Sequence, residues 1–437
     1  MPLPPAHIQA FFHAETYPHP ADEIELIQTH ISWVFLAGEF AYKFKKPVNF
    51  GFLDFSTLPK RKLFCERELQ LNAKISPQIY LSTHTVCQQG DNYHLDGAGE
   101  VVDFCLKMHR FSQEDLLDQR LINNDFDATW MDLLATDINR FHSASDSDYE
   151  IDHTSLLQHH IKVNLQSARQ HKDIKAETIS ALSLFAEREI SKLLPLLQSR
   201  QAEGFIRRCH GDLHLRNITL IDNRPHLFDC IEFSDDFSII DTMNDIAFLI
   251  MDCDARNRTD LGMRFLSRYL EDSGDYTGLK LLPLYLFYRA SVRGKVAALL
   301  ADELEGEARS KAIAEASRYY ELALTYTHQK QPKLFVIGGL SGSGKSHLSL
   351  LGCGKESAII MRSDAMRKSI ACSYPELELY GKQMNRLTYD AIFATAHSVI
   401  DAGYSVIIDA TFIHSDSRWQ VKELADRLQV PLYFFWL

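Results

Sequence analysis

The chain has 437 residues, 46% of them hydrophobic and 24% charged, which is enough to bury sizeable cores and to form two or three domains. Its formal charge of −12 argues against a backbone-driven nucleic-acid binder, which carries a concentrated basic face, and suits a neutral or cationic small molecule better. The eight cysteines include no Cys-x-x-Cys pair, so neither a zinc site nor a disulfide framework is expected. The opening Met1-Pro2-Leu3-Pro4-Pro5 has no basic flank and apolar run of a signal peptide, and no uncharged stretch is long enough to span a bilayer, so a cytoplasmic protein is expected.

In chain order, residues 21–29 read as a short helix. Trp33 to Leu36, a Gly38-Glu39 turn and Phe40 to Lys45 read as a β-hairpin. Along its second strand Ala41, Lys43 and Lys45 share a face, because side chains alternate with period two. Lys43 is the candidate phosphate lysine, with Lys45 as the alternative. Residues 60–74 read as a helix, from which Glu68, or else Glu66, would pair with that lysine. Residues 101–108 read as a strand leading through Met108-His109-Arg110-Phe111 into a mostly helical region from 113 to 201. There Ile179, Leu182, Ala186, Ile190, Leu193 and Leu197 mark one buried helix face that Pro195 would kink or shorten.

Cys209-His210-Gly211-Asp212-Leu213-His214-Leu215-Arg216-Asn217 is the stretch richest in chemistry. Two strands follow it, 218–221 and 226–228, with Asp222-Asn223-Arg224-Pro225 as their turn, and the hairpin returns Asp229 beside Asn217. Phosphoryl transfer needs a carboxylate to receive the acceptor's proton and oxygen ligands that hold Mg²⁺ against the phosphates. Asp212 is the candidate base, with His210 beside it as a second catalytic candidate, and Asn217 and Asp229 are candidate metal ligands. The spacing from Asp212 to Asn217 equals the Asp-to-Asn gap of a kinase catalytic loop.

The wording His-Gly-Asp-Leu-His-Leu-Arg-Asn with the later Asp closely resembles the aminoglycoside phosphotransferase and choline kinase-like branch of the protein-kinase fold. The resemblance implies a bilobal α+β protein-kinase-like domain over residues 1–327, with an N-lobe at about 25–108 and a helical C-lobe at about 111–327. It further implies ATP and Mg²⁺ as cofactors, a hinge near Met108 for adenine, and a small-molecule hydroxyl acceptor. The acidic run Glu232, Asp235, Asp236, Asp241, Asp245, Asp252 and Asp254 reads equally as an anionic wall for a cationic acceptor or as ordinary acidic surface. Asp245-Ile246-Ala247 resembles a helix start whose aspartate braces the catalytic loop. Residues 47–55, Pro-Val-Asn-Phe-Gly-Phe-Leu-Asp-Phe, look like those of one bacterial subfamily in which a kinase-like domain precedes a P-loop domain.

A polar linker is expected at 328–332. After it, a buried strand from Lys333 to Gly338 runs into Gly339-Leu340-Ser341-Gly342-Ser343-Gly344-Lys345-Ser346, a complete G-x-x-x-x-G-K-[ST] between strand and helix. Gly339, Gly342, Ser343 and Gly344 let backbone N–H groups converge on phosphate, Lys345 neutralises charge and Ser346 can ligate Mg²⁺. Strands at 358–362 and 405–408 end in Ser363-Asp364 and Asp409. Asp409 is the candidate second metal group and Asp364 the candidate acceptor-orienting carboxylate, with Arg367 for an anionic part of the acceptor. Helix capping by Asp364 is the competing structural role. The wording resembles the gluconate kinase and zeta-toxin-like P-loop group, which implies an α/β P-loop NTPase domain over 333–437. Relatives of that group continue beyond a final buried strand at 431–437 with an arginine-bearing lid, so this domain reads as incomplete. The expectation is a bifunctional, nucleotide-binding phosphotransferase.

Overall fold

The computed structural model describes residues 4–437 apart from Phe52, Asp148, Lys172 and Gln329, so expectations touching 1–3, Phe52 and Gln329 lie outside the described residues there. Two compact units result, Met1–Phe126 with Arg208–Ile240, and Asp127–Arg207 with Asp241–Leu437. The expected linker position falls inside the span of the second unit.

The first unit begins with α1 (Ala6–Gln9) and two single 3₁₀ turns. Six strands follow: β1 (Ile24–Gln28), β2 (Ser32–Ala37), β3 (Phe40–Lys45), β4 (Tyr80–Gln89), β5 (Asn92–Leu95) and β6 (Glu100–His109). They form an antiparallel sheet in the order β1-β2-β3-β6-β4-β5. Residues 24–28 are therefore a strand and not the helix expected at 21–29. The alternation explains this: Ile24 and Leu26 pack on the cluster of Phe35, Tyr42 and Phe44, while Ile27 packs on the opposite cluster of Leu36, Ala41 and Leu106. A period of two serves both faces of a sheet, and a five-residue ladder with β2 satisfies the backbone.

The β2–β3 hairpin turns at Gly38, whose φ of +57° favours glycine. Helix α2 (Leu58–Asn72) and the short α3 (Leu117–Ile122) complete this part. The unit resumes at Arg208, the last residue of β7 (Ile206–Arg208), and continues through the segment 209–217, the hairpin β8 (Ile218–Ile221) and β9 (Arg224–Leu227), and α7 (Asp235–Ser238) to Ile240 in β10 (Ile239–Asp241). The hairpin turn is two residues, not four. Asp222 and Asn223 adopt φ of +51° and +59°, the left-handed pair that matches strand twist, so Arg224 and Pro225 already belong to β9.

In the second unit, α4 (Thr129–Ala144), α5 (His153–Ala168), α6 (Ala176–Ala202), α8 (Thr242–Ala255), α9 (Thr259–Ser273), α10 (Leu282–Asp302) and α11 (Gly306–Thr325) make a helical body. The expected face of α6 is buried from Ile179 to Leu197, and the helix runs through Pro195 to Ala202 without being shortened. Helix α8 is buried nearly all round, as a central helix must be. A four-stranded parallel sheet follows in the order β12-β13-β11-β14, built from β11 (Leu334–Gly338), β12 (Ala358–Arg362), β13 (Ser405–Asp409) and β14 (Leu432–Trp436). Its helices are α12 (Lys345–Glu356), α13 (Ser363–Ala371), α14 (Lys382–Asp401) and α15 (Ser415–Leu428). Strand β14 corrects the expectation of a buried terminal strand. It pairs with β11 alone, and Phe434 and Trp436 remain 38% and 54% exposed. Among the described residues no helix is long and apolar enough to cross a membrane.

Candidate active sites

The first site is built on β3, α2 and the segment after β7. Period two places Lys43 and Lys45 on the face of β3 toward the cluster that α2 residue Leu69 joins, while Tyr42 and Phe44 fill the opposite cluster. Of the two carboxylates left open on the helix, Glu68 reaches the lysines. Its Oε1 accepts from Lys43 Nζ at 2.7 Å and its Oε2 from Lys45 Nζ at 2.7 Å. Glu66 is instead an exposed partner of Lys62, at 3.8 Å. Lys43 Nζ also donates to Asp229 Oδ1 at 2.5 Å, and Lys45 donates to Glu232 and lies 4.6 Å over the Phe55 ring. Five charges thus run in series, Asp229, Lys43, Glu68, Lys45 and Glu232.

Burial works against the charge on Lys43, but Asp229 and Glu68 outweigh it and hold the ammonium well above the usual lysine range. Burial likewise opposes ionisation of Glu68, and the two lysines overcome it, holding the carboxyl at about 2. Glu232 goes the other way. Its burial is only partly offset by Lys45, and with Glu68 repelling it the carboxyl rises above its ordinary range.

The loop that carries Asp212 is shaped by backbone strain and by buried side chains. Gly211 has φ of +83°, and a Cβ there would lie 2.7 Å from Phe237 O. His210 is fully buried. Its Nε2–H donates to Phe228 O at 2.9 Å and its Nδ1 accepts from the Asp212 N–H at 3.3 Å, which places it behind the loop as a brace. Asn217 Nδ2 donates to Asp212 O and Oδ2 at 2.9 and 3.0 Å. Those bonds use the two N–H donors of the Asn217 amide, so Oδ1 is the atom it can offer a metal. Asp229 sits at φ of +63°, its N–H donating to Tyr80 Oη at 2.8 Å, and the next N–H donates to Asn72 Oδ1 at 2.9 Å. Asn217 and Asp229 offer hard oxygen donors, which fit Mg²⁺ better than a softer metal.

Sequence reasoning missed Tyr80 and Asn72, and it did not give His214 a role at this site, although its Nε2 lies 3.4 Å from Asp212 Oδ2. The acidic run, which reads equally as an acceptor wall or as surface, has most of its members held in ion pairs and hydrogen bonds. Glu232 holds Lys45, Asp235 holds Arg67 and Arg208, Asp241 holds Arg200, Asp252 holds Arg256, and Asp254 accepts from Thr259 and Tyr326. Asp245 is buried and 3.1 Å from His142 Nε2. Arginines tens of positions away neutralise several of these carboxylates, so an anionic wall does not follow.

The second site lies at the C-terminal edge of the parallel sheet. Gly339, Gly342 and Gly344 have φ of +147°, +81° and +94°, and a Cβ on Gly339 would lie 2.8 Å from Ser343 Oγ. Helix α12 therefore starts from a glycine cradle, and its N-terminus suits an anion. Lys345 Nζ donates to Leu340 O at 2.7 Å, and Ser346 Oγ donates to Asp409 Oδ2 at 2.7 Å. This hydroxyl–carboxylate pair brings together the two groups expected to ligate a divalent cation, and both are hard oxygen donors. Asp364 is not a helix cap. It lies within α13, which starts at Ser363, and bonds Lys368 at 2.7 Å and Tyr380 at 3.2 Å, while Arg367 bonds Asn385 at 2.9 Å. The Lys368 bond, more than the burial that opposes it, lowers the Asp364 carboxyl.

Residues 89–282 match the Phosphotransferase enzyme family, and residues 334–437 match the family described as AAA domain. The chain therefore carries a region similar to the phosphotransferase family, followed by a region similar to AAA domains. Uncharacterized proteins of Mycobacterium bovis and Mycobacterium tuberculosis are 29% identical over 423 residues, 93% of this chain and 82% of theirs. Among solved structures, a choline/ethanolamine kinase family protein from Mesorhizobium loti aligns at TM-score 0.44 and 11% identity, over 74% of this chain and 99% of that one. Plasmodium vivax ethanolamine kinase aligns at TM-score 0.41 and 12% identity, over 70% and 81%. The region matched to the phosphotransferase family takes in β6 of the antiparallel sheet and most of the helices of the helical body, and the region matched to the AAA domain carries the parallel sheet.

Proposed function

We propose that the first site transfers the terminal phosphoryl group of ATP to a hydroxyl of a small molecule. The observation that carries this reading is Lys43 held between Glu68 and Asp229, beside Asn217 bonded to Asp212. Asp212 receives the acceptor's proton, and Lys43, fixed by Glu68, meets the phosphates. Mg²⁺, when bound, supplies charge neutralisation at the phosphates, and Asn217 and Asp229 are the side chains that hold it. His210 keeps Asp212 oriented, a positioning role. Aminoglycosides belong in the test panel of small hydroxyl compounds.

The pairing of Ser346 with Asp409 behind a glycine cradle supports a second nucleotide site in the P-loop region, so the protein binds two nucleotides. Titration of MgATP should give two equivalents on the wild type and one each on Lys345→Ala and Asp229→Asn. The reading fails if Asp229→Asn retains both Mg²⁺-dependent equivalents.

A further inference from the structure

One cavity of about 250 Å³ in the second unit is walled on one side by α4 and α9 of the helical body and on the other by α12, β12 and β13 of the P-loop region. Its lining includes Ser346 and Asp409, the pair placed for a divalent cation, together with the guanidinium groups of Arg264, Arg268 and Arg362. The walls are fixed. Strand β12 is an outer strand of its sheet, and its Ile360 N–H donates to Ser267 Oγ of α9 at 3.1 Å. Arg362, opposite Asp409 in the β12–β13 register, grips Glu271 of α9 with two hydrogen bonds, the Nε one at 2.7 Å.

The arginines retain donors. Arg264 gives Nε and Nη2 to Asp132 at 2.9 and 2.5 Å, and Arg362 gives Nε and Nη2 to Glu271. In both, Nη1 has no hydrogen-bond partner among the described residues. A guanidinium carries five donors and can hold a carboxylate on one edge and a second oxyanion on another. Arg268 is more fully committed, to Glu271 at 2.7 Å and Asp272 at 2.9 Å. Small-molecule pockets run from about 300 Å³ upward, so this one suits a small anionic compound or the end of a larger one.

We propose that this cavity is an oxyanion subsite of the P-loop site, to which the helical body contributes Arg264, and that it takes a phosphate or carboxylate group beside the bound nucleotide. The proposal rests on the reading of Lys345 and Ser346 as a nucleotide site. The occupant is either the nucleotide's own terminal phosphate or the anionic group of a separate acceptor.

Calorimetric titration of inorganic phosphate into the full-length protein tests it. Arg264→Gln and Arg362→Gln should each weaken phosphate binding by about tenfold or more, the scale of a charge-assisted hydrogen bond. Glu271→Gln, which frees Arg362, should tighten it; a merely damaged interface would weaken binding in all three. With the MgATP analogue adenylyl imidodiphosphate bound, persisting phosphate binding assigns a separate acceptor, and exclusion by this analogue but not by MgADP assigns the terminal phosphate. Either result requires the arginine dependence. Absence of phosphate binding to wild type, or binding that the arginine variants leave unchanged, overturns the proposal. Lys345→Ala is the separate control: retention of two nucleotide equivalents in that variant refutes the P-loop nucleotide reading itself.

Discussion

Replacing Lys45 with methionine isolates the buried charge series. Lys45 is 1% exposed and is the cation beside Glu232, itself 4% exposed, whereas Glu68 also has Lys43. Methionine keeps most of the stem that lies over Phe55, so the perturbation is chiefly one lost charge. Breaking a buried ion pair by removing one partner costs about 3–5 kcal/mol. Part of that cost is avoided because Glu232 can take up a proton, and its carboxyl is already raised by burial and Glu68. The sign then follows from linkage. A carboxyl whose folded pKa exceeds its unfolded value loses stability as pH rises between the two, at about 1.4 kcal/mol per pH unit. Removing Lys45 takes away the charge that offsets burial, so the Glu232 carboxyl rises further and the stability deficit of Lys45→Met relative to wild type grows as pH rises from 6 to 8. Urea unfolding at both pH values measures it, and Lys45→Met/Glu232→Gln should recover most of the loss and flatten the pH dependence. An equal loss at both pH values, with no recovery in the double variant, would refute the reasoning.

Arg200 is fully buried between Asp241 and Asp275, with four hydrogen bonds of 2.7–2.8 Å. Arg200→Met strands two carboxylates and should cost at least about 3–5 kcal/mol in urea unfolding; a loss below about 1 kcal/mol would show that water reaches the pair. Glu68, held at about 2 against an ordinary 4.5, contributes stability that is present above pH 4.5 and is lost as pH falls toward 2. Glu68→Gln should therefore be less stable than wild type at pH 6, with the difference shrinking between pH 4.5 and 3, and a constant difference would contradict the assignment. Ser346→Ala should weaken Mg²⁺-dependent nucleotide binding at the P-loop while leaving metal-free binding little changed; equal loss in both would mean a steric effect.

Local pattern carried much of the architecture. The period-two face of β3 foretold that Lys43 and Lys45 point the same way, and the three- and four-residue steps from Ile179 to Leu197 foretold the buried face of α6. Partners far apart along the chain were less legible. Glu232 and Lys45 are 187 positions apart, so the acidic run read equally as an acceptor wall or as surface, while several of its members are paired with distant basic residues. Residues 24–28 misled because Ile24, Leu26 and Ile27 serve two clusters, and only the ladder with β2 reveals that need. Strand β14 misled in the opposite sense: its aromatic run reads as core, yet with one neighbouring strand it stays exposed. At the candidate site, spacing located Asp212, Asn217 and Asp229, whereas Tyr80 and Asn72 carry no motif, since they act through single bonds to backbone N–H groups.

The central claim is that Asp212 and its neighbours perform phosphoryl transfer independently of the P-loop. The direct measurement is transfer of labelled terminal phosphate from MgATP to a panel of small hydroxyl compounds by Lys345→Ala, with and without Asp212→Asn. Acceptor-dependent transfer should survive in the single variant and fall by about 10²–10⁴-fold in the double variant, the usual contribution of a positioned base. Transfer that disappears with Lys345→Ala alone would place the chemistry at the P-loop, and transfer that Asp212→Asn leaves intact in that variant would contradict the assignment of Asp212 as the base.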